Sequence, residues 1–289
     1  MADNAGVALR PIADADIPRA AEFLTANLKN GGGRESWARS MTPPWAEDQP
    51  NHGFLLEEGD RVIGVHLAFY STRVINGQPE RVCNLAAWCV LETHRQHGLR
   101  LLRALLRQKG YHFTDFSPSG NVVPLNLRLR FAMLDTATNL VPNLPWPIGR
   151  GGVRLVSKPN EIVRRLDGVD LEIYRDHAKA IAARHLVVTL GEESCYVMFR
   201  RDRRKRLPLF ASIIHVSDPG LFRRTARHVY RHLLLRHGVP FTLAELRIVG
   251  SPQAPSLRLR SPRPKMYRSP TLRPDQIDYL YSELACVAW

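Results

Sequence analysis

The stretch Glu92-Thr93-His94-Arg95-Gln96-His97-Gly98 is a short polar turn between two different kinds of apolar segment. Before it, Val82 to Leu91 is an apolar run of strand length with one polar break at Asn84. Such a run suits a strand buried on both faces. After it, Leu99, Leu102, Leu105 and Leu106 recur at helical spacing, with Arg100, Arg103 and Arg107 on the other face. That pattern predicts an amphipathic helix. A strand feeding a helix through such a turn points backbone N–H groups outward at the helix N-terminus. Those groups and the helix dipole favour an anion, typically a phosphate. Arg95, His97 and Arg100 add basic side chains at the same place. Spacing alone is a weak signal, because many strand-turn-helix units bind nothing.

The segment Val90 to Arg100 resembles the pyrophosphate loop of the GNAT acyltransferases, which reads Arg/Gln-x-x-Gly-x-Gly/Ala after a strand ending in Val. Arg95 takes the first position and Gly98 the middle glycine. Arg100 stands where the family has Gly or Ala. A small residue there lets the backbone approach the pyrophosphate, so Arg100 either supplies a side-chain contact instead or marks a weakened site. A second match follows in order. Tyr111 to Phe116 reads as the next strand and Ser117 to Asn121 as a turn. Val122 to Phe131 resembles the family's later helix, with Leu125 and Phe131 on its Leu and Phe and Asn121 near its Asn. Asn126 replaces the usual Tyr and Arg130 the usual Gly. The resemblance covers roughly residues 8 to 140.

The resemblance implies an α+β fold with a mixed sheet, the GNAT fold. It implies transfer of an acetyl or acyl group from coenzyme A, as acetyl-CoA or another acyl-CoA, to an amine or hydroxyl by direct attack in a ternary complex. The implied cofactor-binding residues are Cys89, Val90, Arg95, Gln96, His97, Gly98, Leu99, Arg100 and Asn121, with no metal. A backbone N–H near Cys89 or Val90 would polarise the thioester carbonyl. Some members carry a Glu where this chain has Asn84, which cannot titrate. The family's Tyr, which often protonates the departing thiolate, is Asn126. Candidate catalytic positions are therefore Asn84, His66 and Glu92, with His94, His112 and Asp115 as further titratable groups. None has a spacing that singles it out. Trp37, Trp45 and Trp88 are candidate substrate-stacking residues; the first two can equally pack their loop onto the body. An acyl-carrier-protein donor, or a catalytically silent acyl-CoA-binding scaffold, stays open.

The chain has 289 residues, comfortable for two domains. Hydrophobic residues are 44%, enough for a real core, and the net charge is +14. That balance favours anionic partners: a polyphosphate cofactor, an acidic acyl carrier protein, or nucleic acid. No aromatic interleaving or nucleic-acid motif supports the last, and spread Arg residues also describe a solvated basic surface. No apolar run is long enough to span a bilayer, and the N-terminus has no apolar core of a signal peptide. The four cysteines are widely spaced without a CxxC. A reduced, cytoplasmic protein without a zinc site is expected.

Along the chain, Val7 to Ile12 predicts a strand and Asp14 onward a helix ending near Asn30 to Gly33. Residues 34–52 read as a loop. Gly53 to Tyr70 predicts one hairpin, and Asn76-Gly77 closes a second. Ala132 to Thr136 reads as a strand and Asn139 to Pro147 as irregular. Glycines and a proline in 149–160 mark a boundary, giving residues 1–148 as the acyltransferase domain and 149–289 as a degenerate GNAT-like domain. In the second half, Asp170 to Arg184 is helical in pattern. His185 to Leu190, Cys195 to Arg200 and Leu209 to Val216 read as strands, Phe222 to His237 as a helix and Phe241 to Val249 as a strand. That order echoes the first half. Ser217 to Leu221 lacks the loop motif, and Asp218 there would repel phosphate. Residues 200–206 and 258–268 read as basic loops. The segment from Pro274 should dock on the body through Ile277, Leu280, Tyr281 and Leu284.

Overall fold

Runs of β-branched and apolar residues broken by glycine turns build two mixed sheets in the computed structural model. It describes residues 6–28, 32–45, 49–147, 151–204, 207–252 and 255–288. Asn30, Gly31, Gly149, Lys205 and Arg206, which the sequence places at a helix end, a boundary and a basic run, lie outside these.

In chain order the elements are β1 (Val7–Pro11), α1 (Ile17–Asn27), α2 (Arg34–Met41), β2 (Gly53–Glu58), β3 (Arg61–Ile75), β4 (Gln78–Val90), α3 (Gly98–Leu106), β5 (His112–Asp115), α4 (Val122–Arg128) and β6 (Ala132–Met133). There follow β7 (Thr138–Pro142), β8 (Val153–Val156), α5 (Pro159–Val163), α6 (Gly168–His177), β9 (Arg184–Leu190), β10 (Glu193–Arg204), β11 (Leu207–Val216) and α7 (Pro219–His237). The chain closes with β12 (Phe241–Glu245), α8 (Leu246–Val249), β13 (Leu257–Arg258), β14 (Met266–Arg268) and α9 (Glu283–Cys286).

The first sheet runs β1-β2-β3-β4-β5-β14-β6 and the second β8-β9-β10-β11-β12-β7-β13. The two orders are the same list. In each, the fourth and fifth strands are parallel and every other neighbour is antiparallel. The second half is thus a repeat of the first in topology, as its strand-strand-strand-helix-strand pattern predicts. The sixth strands are exchanged in chain order: β7 precedes the second set, while β14 returns from beyond it to lie beside β5.

The chain therefore divides into two compact units, but not at 148/149. The first comprises residues through Leu134, Pro264–Ile277 and the segment from Tyr281 on; the second comprises Asp135–Arg263 and Asp278–Leu280. The return of β14 is the physical reason: its backbone pairs with β5, so the C-terminal segment cannot belong wholly to the second unit.

Within the first unit, Asn76 and Gly77 both take positive φ, +53° and +78°, and join β3 to β4 in a two-residue turn. That is the conformation such hairpins need. α3 buries Leu101, Leu102 and Leu105 against β2 and β3. Three expectations are corrected. Residues 34–41 are a helix, not a loop, and Trp37 is buried in it. Thr138–Pro142 is a strand between β12 and β13. The basic run at 200–204 belongs to β10, where Arg200 is buried and bonded to Asp202 at 2.8 Å. Cys83, Cys89, Cys195 and Cys286 are free and buried. Among the described residues no helix is long and apolar enough to cross a membrane.

Candidate functional site

β4 and β5 run side by side only from Val82–Leu85 against His112–Asp115. β4 then continues to Val90, whereas β5 stops at Asp115. Just past the last shared pair, β4 is bulged. Leu67 faces Ala86 and Val65 faces Cys89, so Ala87 and Trp88 share the one place opposite His66. Ala87 takes φ +49°, a left-handed conformation that costs a non-glycine residue roughly 1–2 kcal/mol. A bulge bends its strand and sharpens the local twist. Here the bend falls two residues past the last β4–β5 pair, just before Trp88, Cys89 and Val90. On the side away from β3, this arm of β4 has no strand partner among the described residues. A 3-10 turn, Glu92–His97, runs directly into α3, and no side chain caps the N-terminus of that helix.

The residues singled out by the sequence fall into three groups. Cys89, Val90 and the turn residues Arg95, Gln96, His97, Gly98, Leu99 and Arg100 are consecutive along the parted arm and the start of α3. Arg95 is exposed and pairs with Glu92 at 3.4 Å; a surface pair of that kind is worth at most about 1 kcal/mol, so either side chain can be recruited elsewhere. Gly98 is buried, and a Cβ there would lie 3.6 Å from Trp88 and Val90, ordinary contact that admits alanine but no large side chain. Arg100 is turned toward β1, where its Nη2 donates to the Val7 carbonyl at 3.0 Å. Asn121 is exposed just before α4, on the β5 side of the gap, and does not cap that helix.

The remaining candidates behave differently. His66 is buried and stacks on the Trp88 indole, with ring centroids 5.1 Å apart. Burial pushes its pKa down to about 3, so it stays neutral at ordinary pH. Trp37 lies in the core, 1% exposed, and cannot stack on a substrate. Trp45 donates to the Tyr70 carbonyl at 3.2 Å and meets Tyr281 edge-on, which is packing. Glu92 is exposed on the turn. Only Trp88, half-buried beside Gly98, stands at the gap itself.

No known family model matches the sequence, and neither does any curated protein. Solved structures do match. A GCN5-related N-acetyltransferase from Anabaena variabilis aligns over 91% of this chain and 72% of its own, with TM-score 0.58 and 11% identity. One from Kribbella flavida aligns over 90% and 70%, with TM-score 0.54 and 14% identity. The Saccharomyces cerevisiae N-myristoyltransferase with bound myristoyl-CoA aligns over 99% and 86%, with TM-score 0.53 and 10% identity. The fold is that of the GCN5-related N-acetyltransferases. It is a tandem version, with the GNAT strand order present twice.

At the closed end of the gap lies a buried polar cluster. Asn84 donates from Nδ2 to Thr114 Oγ1 at 3.0 Å and accepts the backbone N–H of Glu283 at 2.8 Å. Glu283 opens α9, whose cap is the Ser282 hydroxyl. Glu283 has no exposed surface. Its Oε1 accepts from the Ser117 hydroxyl at 3.0 Å, and its Oε2 has no partner. Asp115, the last paired residue of β5, accepts from Asn126 Nδ2 at 2.8 Å. Burial, and then the charge of Asp115, pushes Glu283 up to about 7. Burial pushes Asp115 up to about 6 against the hydrogen bonds that lower it. Asn84, Asp115 and Asn126 were visible from sequence; Glu283 and Ser117 were not. The available signal was a single acidic residue inside the apolar C-terminal run Leu280 to Val287.

Proposed function

We propose that this chain is an acyltransferase that moves an acetyl or longer acyl group from coenzyme A to an amine or hydroxyl acceptor, by direct attack in a ternary complex. The observation that carries this reading is the end of β4–β5 pairing at Leu85 and Asp115, with the bulge at Ala87 just beyond it and β4 running on to Val90 without a strand partner on that side among the described residues. An unpaired strand edge holds an extended ligand through main-chain hydrogen bonds, as an added strand is held. The pantetheine arm, with its two amides, is an extended ligand of that kind. Farther along, the backbone of the 3-10 turn, the start of α3 and Arg95 face the diphosphate. The N–H of Cys89 or Val90 polarises the thioester carbonyl. Fixing both reactants in one gap supplies up to roughly 7–11 kcal/mol of the barrier when geometry is ideal.

The second unit is read as a GNAT-like body without a donor site of its own. There the Asp218 carboxylate accepts the Leu221 N–H at 2.9 Å and caps α7, so a negative charge already occupies the helix start.

The test is acetyl-CoA binding by the full chain, followed by calorimetry and by unfolding. Ligand at a hundredfold excess over its Kd should add about 2.7 kcal/mol to stability. Release of free thiol with a panel of amines and alcohols then reports transfer. No stabilisation by acetyl-CoA or a longer acyl-CoA would remove the reading; binding with no thiol released on any acceptor would leave an acyl-CoA-binding protein.

Arg100 supplies a second check. Because its guanidinium holds the Val7 carbonyl, Arg100→Ala should cost about 1 kcal/mol of stability, the worth of one such bond. Acetyl-CoA affinity should change by less than about fivefold, since a charge held on the Val7 carbonyl contributes under about 1 kcal/mol to a ligand nearby. A large affinity loss would instead place Arg100 on the diphosphate.

A further inference from the structure

We propose that the proton lost by the acceptor is taken up through the Ser117 hydroxyl by the Glu283 carboxylate, with Asp115 as the second carboxyl of the site. This rests on the acyl-transfer reading above.

The placement follows from the strands. Ser117 lies two residues beyond the last β4–β5 pair, where the chain leaves β5. It is half-buried, and its hydroxyl donates inward to Glu283 Oε1 at 3.0 Å. A hydroxyl that donates inward keeps lone pairs to accept an N–H or O–H from the gap. Glu283 has no exposed surface of its own, and the Ser117 hydroxyl is the half-buried group bonded to its carboxylate.

Glu283 is held from several sides. Its N–H is fixed by Asn84, its helix is capped by Ser282, and Ser40 of α2 donates to the Cys286 carbonyl at 3.0 Å. Asn84 cannot take a proton, but it holds in place a residue that can. A buried carboxyl kept for structure is normally paired with a cation. The groups that bear on Glu283 are Asp115 from β5, Ser117, Asn84 from β4 and its own backbone, with the Cys286 thiol beside it on α9. The buried residues of α2, which packs on α9, are Trp37, Ser40 and Met41, none of them charged. None of these is a cation. The unpartnered Oε2 leaves the carboxyl without the pairing a structural role would give it, while Oε1, bonded to Ser117, is where a proton would arrive. A carboxyl poised near neutrality is what a general base at ordinary pH requires.

The step balances. The lone pair of the acceptor nitrogen forms the bond to the acyl carbon, and the carbon–sulfur bond breaks with its electron pair going to sulfur. The nitrogen's surplus proton passes to the Ser117 oxygen as the Ser117 proton passes to Glu283. The thiolate takes up one proton, equal to the one the nitrogen lost, and Glu283 returns to carboxylate through the same hydroxyl. Ser117 touches the acceptor; Glu283 and Asp115 act through it.

The experiment uses the full chain, acetyl-CoA as donor and hydroxylamine as the probe nucleophile, with protein-dependent thiol release followed from pH 5 to 9. Wild type should show a rate that rises with pH through a midpoint near neutrality. Glu283→Gln keeps the shape and the Ser117 bond. It should lower kcat by about 10²–10⁴-fold, lose that midpoint, and leave acetyl-CoA affinity by calorimetry unchanged. Ser117→Ala should lose as much, and the double variant no more than either. Asp115→Asn removes the like charge and should move the midpoint to lower pH without abolishing the rate. An infrared band of a protonated carboxyl should be present in wild type at pH 6 and weaker in Glu283→Gln. Normal acetyl-CoA binding with an unaltered rate and midpoint in Glu283→Gln overturns this inference alone. If that variant does not fold, an unmoved midpoint in Asp115→Asn overturns it. Failure of wild type to bind acetyl-CoA overturns the functional reading, and this inference with it.

Discussion

Ala87→Pro should lower acetyl-CoA affinity at least a hundredfold, a loss of about 2.7 kcal/mol, measured by calorimetry on the folded protein. Proline fixes φ near −65° and removes the backbone N–H, whereas Ala87 sits at φ +49°. The bulge cannot survive that change. Without it, two residues no longer share the place opposite His66, and Trp88, Cys89 and Val90 each slip one place against β3, which turns their side chains to the other face. The N–H groups that would hold the pantetheine arm are then turned elsewhere. Ala87→Val tests the same idea more gently, because a β-branched residue at positive φ is a conformational outlier. Ala87→Gly is the control. Glycine relieves roughly 1–2 kcal/mol of left-handed strain but gives back roughly 0.5–1 kcal/mol in chain entropy. Its stability should therefore stay within about 1 kcal/mol of wild type, with affinity intact. Wild-type affinity in Ala87→Pro would mean that the parted strands are not the donor site.

The elements that carry this gap are the ones whose local pattern is strong. The apolar run Val82 to Leu91, the polar turn and the leucine repeat after it specify the 3-10 turn and α3 to within a residue or so and the end of β4, whose start at Gln78 lies four residues before the apolar run. Asn76-Gly77 specifies its hairpin through backbone conformation alone. The bulge is not legible, because Ala87 is a residue type that seldom takes positive φ, and only pairing with β3 puts it there. α2 is not legible, because one short helix with Trp37, Ser40 and Met41 on its buried side shows too little periodicity beside Pro43 and Pro44. β7 is not legible either, because Pro142 and its neighbours look like breakers, yet Pro142 stands at the end of the strand, where the lost donor matters least. The run of arginines in β10 read as a solvated loop, but strand alternation turns Arg200 inward onto Asp202. The exchange of β7 and β14 between sheets, and the arrival of Glu283 beside Asn84, depend on contacts between distant parts of the chain. Glu283 meets Asn84 across 199 residues and Ser117 across 166. No local pattern encodes such a meeting.

The buried carboxyl also makes a stability prediction that requires no substrate. The stability of Glu283→Gln relative to wild type should rise by roughly 3 kcal/mol between about pH 4.5 and pH 7.5, read from urea unfolding across that range. In the unfolded chain the Glu283 carboxyl titrates near its ordinary 4.5, whereas in the fold burial beside Asp115 raises it to about 7. Between those values the folded protein holds a proton that the unfolded chain has released. Wild-type stability from this group is therefore full below about pH 4.5 and is lost as pH rises through 7. Glutamine carries no charge at any pH, so the variant escapes the loss. Asp115, raised to about 6 by burial, makes the pair titrate as a unit. Asp115→Asn should accordingly reduce the pH slope without removing it. A relative stability that stays flat from pH 4.5 to 7.5 would show that Glu283 titrates at its ordinary value. It would then be ionised throughout the working range, and a carboxylate that weakly basic could not draw a proton from an acceptor through Ser117.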